Sequence, residues 1–366
     1  MSKRICHISS VHPRTDIRIF LKECVSLAEA GNEVFLLVAD GKGNAKINGV
    51  NIVDAGKLPS NRLSRMMNAT KLIRKPAMEL NCEVYHFHDP ELIPLGLYLK
   101  KQAKKVVYDV HEDVPRQMLT KPYLNAFLRR LVANVFEKYE NHQVKKFDAI
   151  VTSTPHIRNR FWNFNYQTVN VNNYPILSEF NIDPIAKRIP NQICYIGNIS
   201  KERGILQLLE ALEHTSATLV LAGTFETIEL EKMAKEHAAW GQVRYVGQVD
   251  RAEIAHILST SSVGMVTLLP ALNYIDSLPI KMFEYMAGGV AIIASDFRIW
   301  KTIIEKEKCG ICVNPMEVQG ITQAIQHLIS NPEIAKEMGN KGKYASQSKY
   351  NWTREKDKLT QLYVHL

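Results

Sequence analysis

The 366-residue chain has only six cysteines, most of them inside apolar segments. That is too few and too scattered for a disulfide scaffold. Cys309 and Cys312 form a C-x-x-C pair, but no second cysteine pair stands at the spacing a zinc site needs. The segment KCGICVNP also reads as a turn at Gly310 followed by a short strand, not as the opening of a redox helix. Long apolar runs are missing as well. None approaches the ~18 residues of a membrane span, and Met1-Ser2-Lys3-Arg4 leads directly into a strand, so the chain is expected in the cytoplasm. No Asp-x-Asp metal clamp occurs, Asp89-Pro90-Glu91 and His111-Glu112-Asp113 being the nearest approximations. Neither a metal nor a cofactor is therefore expected. The first strand runs into SSVHPRTD and not into a glycine-rich turn, which argues against a nicotinamide dehydrogenase. Nucleic acid is not an expected partner, because no recognition motif or aromatic–basic platform accompanies the basic residues. Repeats and low-complexity tracts are absent.

What is present is an alternation of apolar β-like runs with helical patterns, at a length and 46% hydrophobic content that exceed what one core usually holds. RICHIS (4–9), EVFLLVAD (33–40), EVYHFH (83–88), KVVYDVH (105–111) and DAIVTS (148–153) read as strands of a parallel sheet covered on both faces. A second set follows: QICYIG (192–197), TLVLAG (218–223), VRYVG (243–247), VGMVTL (263–268), VAIIAS (290–295) and GICVNP (310–315). The stretch 172–191 lacks periodicity and is rich in proline and asparagine, which places a linker there. Two doubly wound α/β domains are predicted, 1–175 and 176–350, with a closing helix over 351–366 that returns to the first. Among the helices, residues 122–146 carry the clearest period, with Leu124, Phe127, Leu128, Leu131, Val132, Val135, Phe136 and Tyr139 at three- and four-residue steps. These side chains are expected in the core.

Two segments carry chemistry. In DSLPIKMFEYMAGG (276–289), Asp276 and Ser277 can cap a helix, Pro279 suits its first turn, and Glu284 follows inside it. On that reading the two carboxylates stand up to ~12 Å apart along the axis, beside unpaired amides. The arrangement suits a long anionic ligand better than a glycosidase, whose paired carboxylates lie ~5–9.5 Å apart. Upstream, the strand QICYIG runs through Asn198 and Arg203-Gly204 into a helical pattern. Strand, glycine turn and helix start bring amide donors together, and Arg203 adds a charged fork, so a diphosphate could sit there.

Together these segments resemble the retaining glycosyltransferases of family 4, which have the GT-B fold of two Rossmann-like domains facing a cleft. The matching positions are Gly197…Arg203-Gly204 and Asp276…Glu284-Tyr285-Met286-Ala287-Gly288, with the opening stretch 11–34 and the pair VYHFHDP and VVYDVHED in the first domain. The resemblance implies transfer of a sugar from a nucleotide-diphosphate donor, a UDP-sugar foremost, to a lipid-linked or glycan acceptor in bacterial surface polysaccharide synthesis (lipopolysaccharide or capsule). It implies a donor-binding set of Gly197, Asn198, Arg203, Gly223, Ser277, Leu278, Lys281 and Glu284, with Arg203, Asp276 and His111 as catalytic groups. The family has glutamate where Asp276 stands, so this residue either reaches the donor sugar or only caps the helix. Lys281 either faces the leaving group or pairs with Glu284 three residues on. The paired glycines usual in the first strand–helix loop are replaced by His12, Arg14, Asp16 and Arg18. His12, Arg14, Arg18 and His88 are accordingly assigned to the acceptor side. Two other classes remain open: a sugar-nucleotide 2-epimerase of the same architecture, and a catalytically silent nucleotide- or glycan-binding subunit.

The formal charge of +9 is uneven: residues 1–186 hold 26 Lys+Arg against 18 Asp+Glu, whereas 187–366 hold 20 against 19. Residues 60–75 place Arg62, Arg65, Lys71, Arg74 and Lys75 among Leu63, Met66, Met67, Leu72 and Ile73. Such a helix either rests on an anionic membrane surface, as a peripheral protein of the inner face would, or is a solvated face with its apolar side in the core.

Overall fold

The computed structural model describes residues 2–59, 61–119, 125–180 and 187–366, with the side chains of Arg62, Leu63, Arg65 and Met66 outside that description. The chain divides into two compact units. Unit 1 comprises Met1–Asn173 with Thr353–Leu366, and unit 2 Tyr174–Trp352. The chain thus leaves unit 1 at the start of the predicted linker stretch, and its last helix, Trp352–His365, returns to it. Tyr363 of that helix is buried, its hydroxyl 2.7 Å from His86 Nδ1, while Glu355 Oε2 accepts from the Asn172 amide at 2.8 Å.

Unit 1 holds an eight-stranded sheet of β1 (Arg4–Ile8), β2 (Glu33–Val38), β3 (Ala45–Ile47), β4 (Val50–Asp54), β5 (Val84–Phe87), β6 (Lys105–Val110), β7 (Ala149–Thr152) and β8 (Thr168–Asn170). Their order is β3-β4-β2-β1-β5-β6-β7-β8, parallel except for the β3–β4 hairpin. The five expected strands are present. The hairpin was not anticipated, although Asn48-Gly49 at φ 49° and 80° is its turn, a pair of positive-φ residues matched to strand twist. Strands β1, β5, β6 and β7 are buried nearly throughout, as expected where helices cover both faces.

Unit 2 holds β9 (Gln192–Ile196), β10 (Thr218–Ala222), β11 (Val243–Gly247), β12 (Val263–Val266), β13 (Ala291–Ser295) and β14 (Gly310–Val313). These six parallel strands run in the order β11-β10-β9-β12-β13-β14. In each sheet the order reverses beside its first strand, between β1 and β5 and between β9 and β12. Ligands of open parallel sheets collect at the carboxyl ends of strands flanking such a switch point. Cys309 is buried and Cys312 lies on β14, both thiols pushed up to about 12 by burial, and all six cysteines are free. No helix among the described residues is long and apolar enough to cross a membrane.

One expectation is overturned. The helix Ala126–Gln143 buries Ala133 and Glu140, not the apolar series. Phe127 is 78% exposed, Leu131 49% and Val135 59%, with Leu128, Val132 and Tyr139 also exposed. Leu124 lies outside the described residues. Periodicity shows that one face is apolar, but not which side of the helix meets the sheet. Here ionic contacts decide it: Glu140 faces inward to accept from Tyr108 Oη (2.8 Å) and Arg160 Nη2 (2.6 Å).

Candidate functional site

In unit 2, β9 ends at Gly197, whose φ of 115° lies where side chains are disfavoured. Its amide donates to Ala222 O at 2.9 Å. A Cβ on Gly223 (φ 141°) would fall on the carbonyl oxygen of Gly197, so glycine at 223 lets the ends of β9 and β10 lie this close. The loop then turns at Arg203 N→Ser200 O (3.2 Å) and Gly204 N→Lys201 O (2.9 Å), and Gly204 at φ 74° heads the helix Ile205–Glu213. A Cβ on Gly204 would meet Thr267 O beyond the end of β12, so this glycine seats the loop against the neighbouring strand at the switch point.

The space above Gly197 is lined by cations. A Cβ there would lie 3.9 Å from both Arg203 Nη1 and Lys281 Nζ. Lys281 is buried, its Nζ 3.5 Å from the centre of the Tyr195 ring and without a hydrogen-bond partner. Burial, with Arg203 beside it, drives its pKa well below the ordinary lysine value. Tyr195 donates to Asn198 O (2.8 Å), holding the loop over this spot, while the Asn198 side chain is exposed. Arg203, partly exposed, has its guanidinium 6.0 Å from the Tyr274 ring centre.

The helix after the loop begins later than expected. It spans Ile280–Ala287 with Pro279 at the cap, and no side chain caps its first turn. Ser277 is not the cap: its hydroxyl donates to Tyr274 O (2.8 Å), and its own carbonyl accepts from the Trp300 indole (2.6 Å). Asp276 therefore stands in a turn before the helix, and the axial spacing expected between it and Glu284 does not apply. The uncapped first-turn amides, Lys281 and Arg203 are the donors here, and a helix N-terminus with flanking cations is an anion site. Leu278 lies half-buried in the preceding loop. The alternative pairing of Lys281 with Glu284 is not made. Glu284, nearly buried, accepts from Arg251 Nη1 at 2.7 Å, and Arg251 also holds Glu179 at 2.6 Å. Arg251 and Tyr195 were not anticipated as site residues. Arg251 lies 33 positions from Glu284 and Tyr195 lies 86 from Lys281, and no local spacing reports such contacts.

In unit 1, His7 on β1 sits opposite His86 on β5, with His88 two residues on, so three imidazoles share one sheet face. Asp109 at the end of β6 accepts from Arg18 through both oxygens (Nε–Oδ2 3.1 Å, Nη2–Oδ1 2.9 Å) and contacts His88 Nδ1 (3.2 Å) and His111 Nε2 (2.9 Å). Matching donors to acceptors assigns the protons. His88 Nδ1–H donates to Asp109, so His88 Nε2 accepts from His7 Nδ1–H at 2.9 Å, and His7 Nε2 accepts from the Tyr363 hydroxyl at 3.2 Å. His86 Nδ1–H then donates to Tyr363, which leaves His86 Nε2 without a partner. Burial keeps all three histidines neutral, lowering His88 to about 4 and His7 and His86 well below the usual value. Burial and the Asp109 charge push Glu23 well above the ordinary carboxylate range, against the pull of Arg18.

Two residues assigned to the acceptor side, Arg18 and His88, are enclosed, and Arg18 also donates to Val171 O (2.8 Å), so both side chains are committed to contacts inside unit 1. Arg14 is held in a two-pronged pair with Asp40 (2.7 and 2.6 Å). His12 and His111 remain at the surface of the network, ring centres 5.0 Å apart, with 15% of the His111 side chain exposed. Burial alone would lower His12, but Asp16 and Asp89 raise it. Ligand-type atoms of His7, Glu23, His86 and His88, and of His88, Asp109 and His111, lie within 4.8 Å of one another, a spacing able to hold a metal. Arg18 already supplies positive charge to both carboxylates.

Two family models match the chain: "Glycosyltransferase Family 4" over residues 20–171 and "Glycosyl transferases group 1" over 179–344. The phosphatidyl-myo-inositol mannosyltransferase of Mycolicibacterium smegmatis is 22% identical over 332 residues, 84% of this chain and 79% of that one. Sucrose-phosphate synthase from Thermosynechococcus elongatus superposes with a TM-score of 0.81 at 17% identity, covering 99% of this chain and 98% of that one. Anabaena HepE in complex with UDP gives 0.74 at 12% identity, with 99% and 100% covered.

Proposed function

Because the chain belongs to glycosyltransferase family 4 and has the GT-B fold, we propose that it moves a hexosyl or N-acetylhexosaminyl group from a UDP-class nucleotide sugar to a lipid-linked or glycan acceptor. The product would be a bacterial surface polysaccharide, made at the inner face of the cytoplasmic membrane with retention of anomeric configuration and without a divalent metal. The observation that carries the reading is the convergence of Arg203 and Lys281 on the glycine at the end of β9, with Lys281 Nζ buried and unpartnered. A buried cation without an acceptor is costly in the free protein and is compensated when an anion enters.

As the bond between the sugar's anomeric carbon and the diphosphate oxygen breaks, positive charge develops on the sugar and negative charge on the departing diphosphate. Arg203, Lys281 and the first-turn amides of Ile280–Ala287 are in place before the reaction and gain strength as that charge grows. Glu284, held by Arg251, takes the ribose hydroxyls, as the family resemblance implies, and Asp276 lies toward the donor sugar. In unit 1, the resemblance assigns His111 to the sugar, and its Nδ1 accepts from a sugar hydroxyl because its single proton, on Nε2, is committed to Asp109. His12 serves the acceptor side.

Thermal-shift screening against UDP-, GDP- and dTDP-sugars tests the donor, since a ligand stabilises only the state it binds. Selective stabilisation by a UDP-sugar, lost in Arg203→Ala and Glu284→Ala, is expected. Indifference to every nucleotide sugar would contradict the reading.

A further inference from the structure

The outward face of helix Ala126–Gln143 is exposed and has no partner among the described residues. At 3.6 residues per turn, Phe127, Leu128, Leu131, Val132, Val135 and Tyr139 fall within an arc of about 140°. That arc lies opposite the face carrying Ala133 and Glu140. Large apolar side chains gathered on one exposed helix face mark an interaction site more than scattered ones do.

The charges on this helix are sorted. Both of its carboxylates turn inward: Glu137 pairs with Arg116 and with Arg160 (3.5 Å), and Glu140 with Arg160 at 2.6 Å. Lys138 and His142 fall within the apolar arc and Arg130 about 60° beyond its edge, and all three are exposed. The face therefore offers hydrocarbon and positive charge with no acid of its own. The same layer continues sideways. Helices Arg62–Leu80 and Ala126–Gln143 both pack against Ile93–Lys101 on one side of the unit 1 sheet. There Met67, Lys71, Arg74 and Lys75 line a hollow with Tyr98, Arg74 lying 3.9 Å from the Tyr98 ring centre; Glu79, the one acid in the lining, sits 3.8 Å from Lys75.

We propose that this helix layer is a docking surface for an anionic phospholipid bilayer, with the apolar ridge of Ala126–Gln143 set at the headgroup–acyl boundary and the cations of both helices against lipid phosphates. An apolar face flanked by cations is what such a surface selects, and a second protein copy would gain nothing from the exclusion of acids. The inference deepens the transferase reading by naming the surface that meets the membrane. Vesicle binding needs no sugar donor, so its failure would leave the transfer reaction standing.

The test is sedimentation of the full-length protein with phosphatidylcholine vesicles, with and without phosphatidylglycerol. Wild type is expected to pellet with the anionic vesicles. Leu131→Glu/Val135→Glu is expected to weaken that partitioning by at least ~10-fold. Both positions are exposed, so the variant should keep the wild-type melting temperature and UDP response. Phe127→Trp supplies a second readout, quenching by brominated lipid. No binding by wild type, unaltered binding by the double variant, or an unquenched tryptophan at 127 would overturn the proposal. So would a wild-type dimer that the double variant dissociates while vesicles go unbound.

Discussion

Replacing Lys281 by methionine keeps the length and apolar stem of the side chain and removes only its charge. In the free protein that charge lies against the Tyr195 ring at 3.5 Å, beside Arg203 and with no acceptor. Losing the cation–π contact costs about 2 kcal/mol. Against this stands relief of a buried charge, whose effective desolvation penalty is several kcal/mol. Lys281→Met is therefore expected to melt at or above the wild-type temperature. The effect on catalysis has the opposite sign. Removing one preorganised donor from a developing anion typically costs ~10²–10³ in kcat, about 2.7–4 kcal/mol.

The pH dependence separates this account from a purely structural one. The folded pKa of Lys281 lies well below 10.5, so between that value and 10.5 the unfolded chain binds a proton that the folded chain does not. Stability should rise as pH climbs through that window, and this increment should vanish in the methionine variant. UDP restores the charged form, so its binding at alkaline pH should take up a proton. Titration calorimetry in two buffers of different ionisation enthalpy reads that uptake. A variant that keeps full turnover and UDP affinity, or that loses several kcal/mol of stability, would refute the reasoning.

Other expectations follow from the same geometry. The three buried neutral histidines of unit 1 bind protons only on unfolding, so stability should fall as pH drops below 6.5. His88 alone, lowered to about 4, is worth roughly 3 kcal/mol by pH 4, readable as a falling urea midpoint. Gly223→Ala would drive a Cβ into the Gly197 carbonyl and should lower stability by ~3 kcal/mol or more while abolishing nucleotide binding, whereas Gly241→Ala, in open space, should do neither. Asp109→Asn should destabilise by up to ~3–5 kcal/mol, because buried Arg18 loses the carboxylate that accepts from both Nε and Nη2 and keeps, among the described residues, only Glu23 as an ionic partner. Cys309→Ser/Cys312→Ser should keep wild-type turnover, and thiols pushed up to about 12 should alkylate slowly at pH 8, which a dye assay measures.

Strand positions were legible in the sequence because buried parallel strands leave continuous apolar runs, and the loop from Gly197 to Gly204 was legible because a glycine turn between strand and helix is a local signal. Contacts that join distant segments were not. Arg251 meets Glu284 only because the start of the helix Arg251–Thr260 is brought against the helix Ile280–Ala287. His7 meets His86 only through the register of β1 and β5. The start of the helix at Ile280 was misplaced because Ser277, a good cap by type, instead bonds back to Tyr274. The helix Ala126–Gln143 shows the limit of a period: it gives the angular position of an apolar face but not its partner, and here that face is turned to the outside.

The central claim is that unit 2 grips a diphosphate through Arg203, Lys281 and the start of the helix Ile280–Ala287. Calorimetric titration of wild type and Arg203→Ala with UDP, UMP and uridine tests it directly. The account predicts saturable binding of UDP, weaker binding of UMP, none of uridine, and loss of the UDP preference in the variant. Equal binding of uridine and UDP, or a variant that still distinguishes them as wild type does, would contradict it.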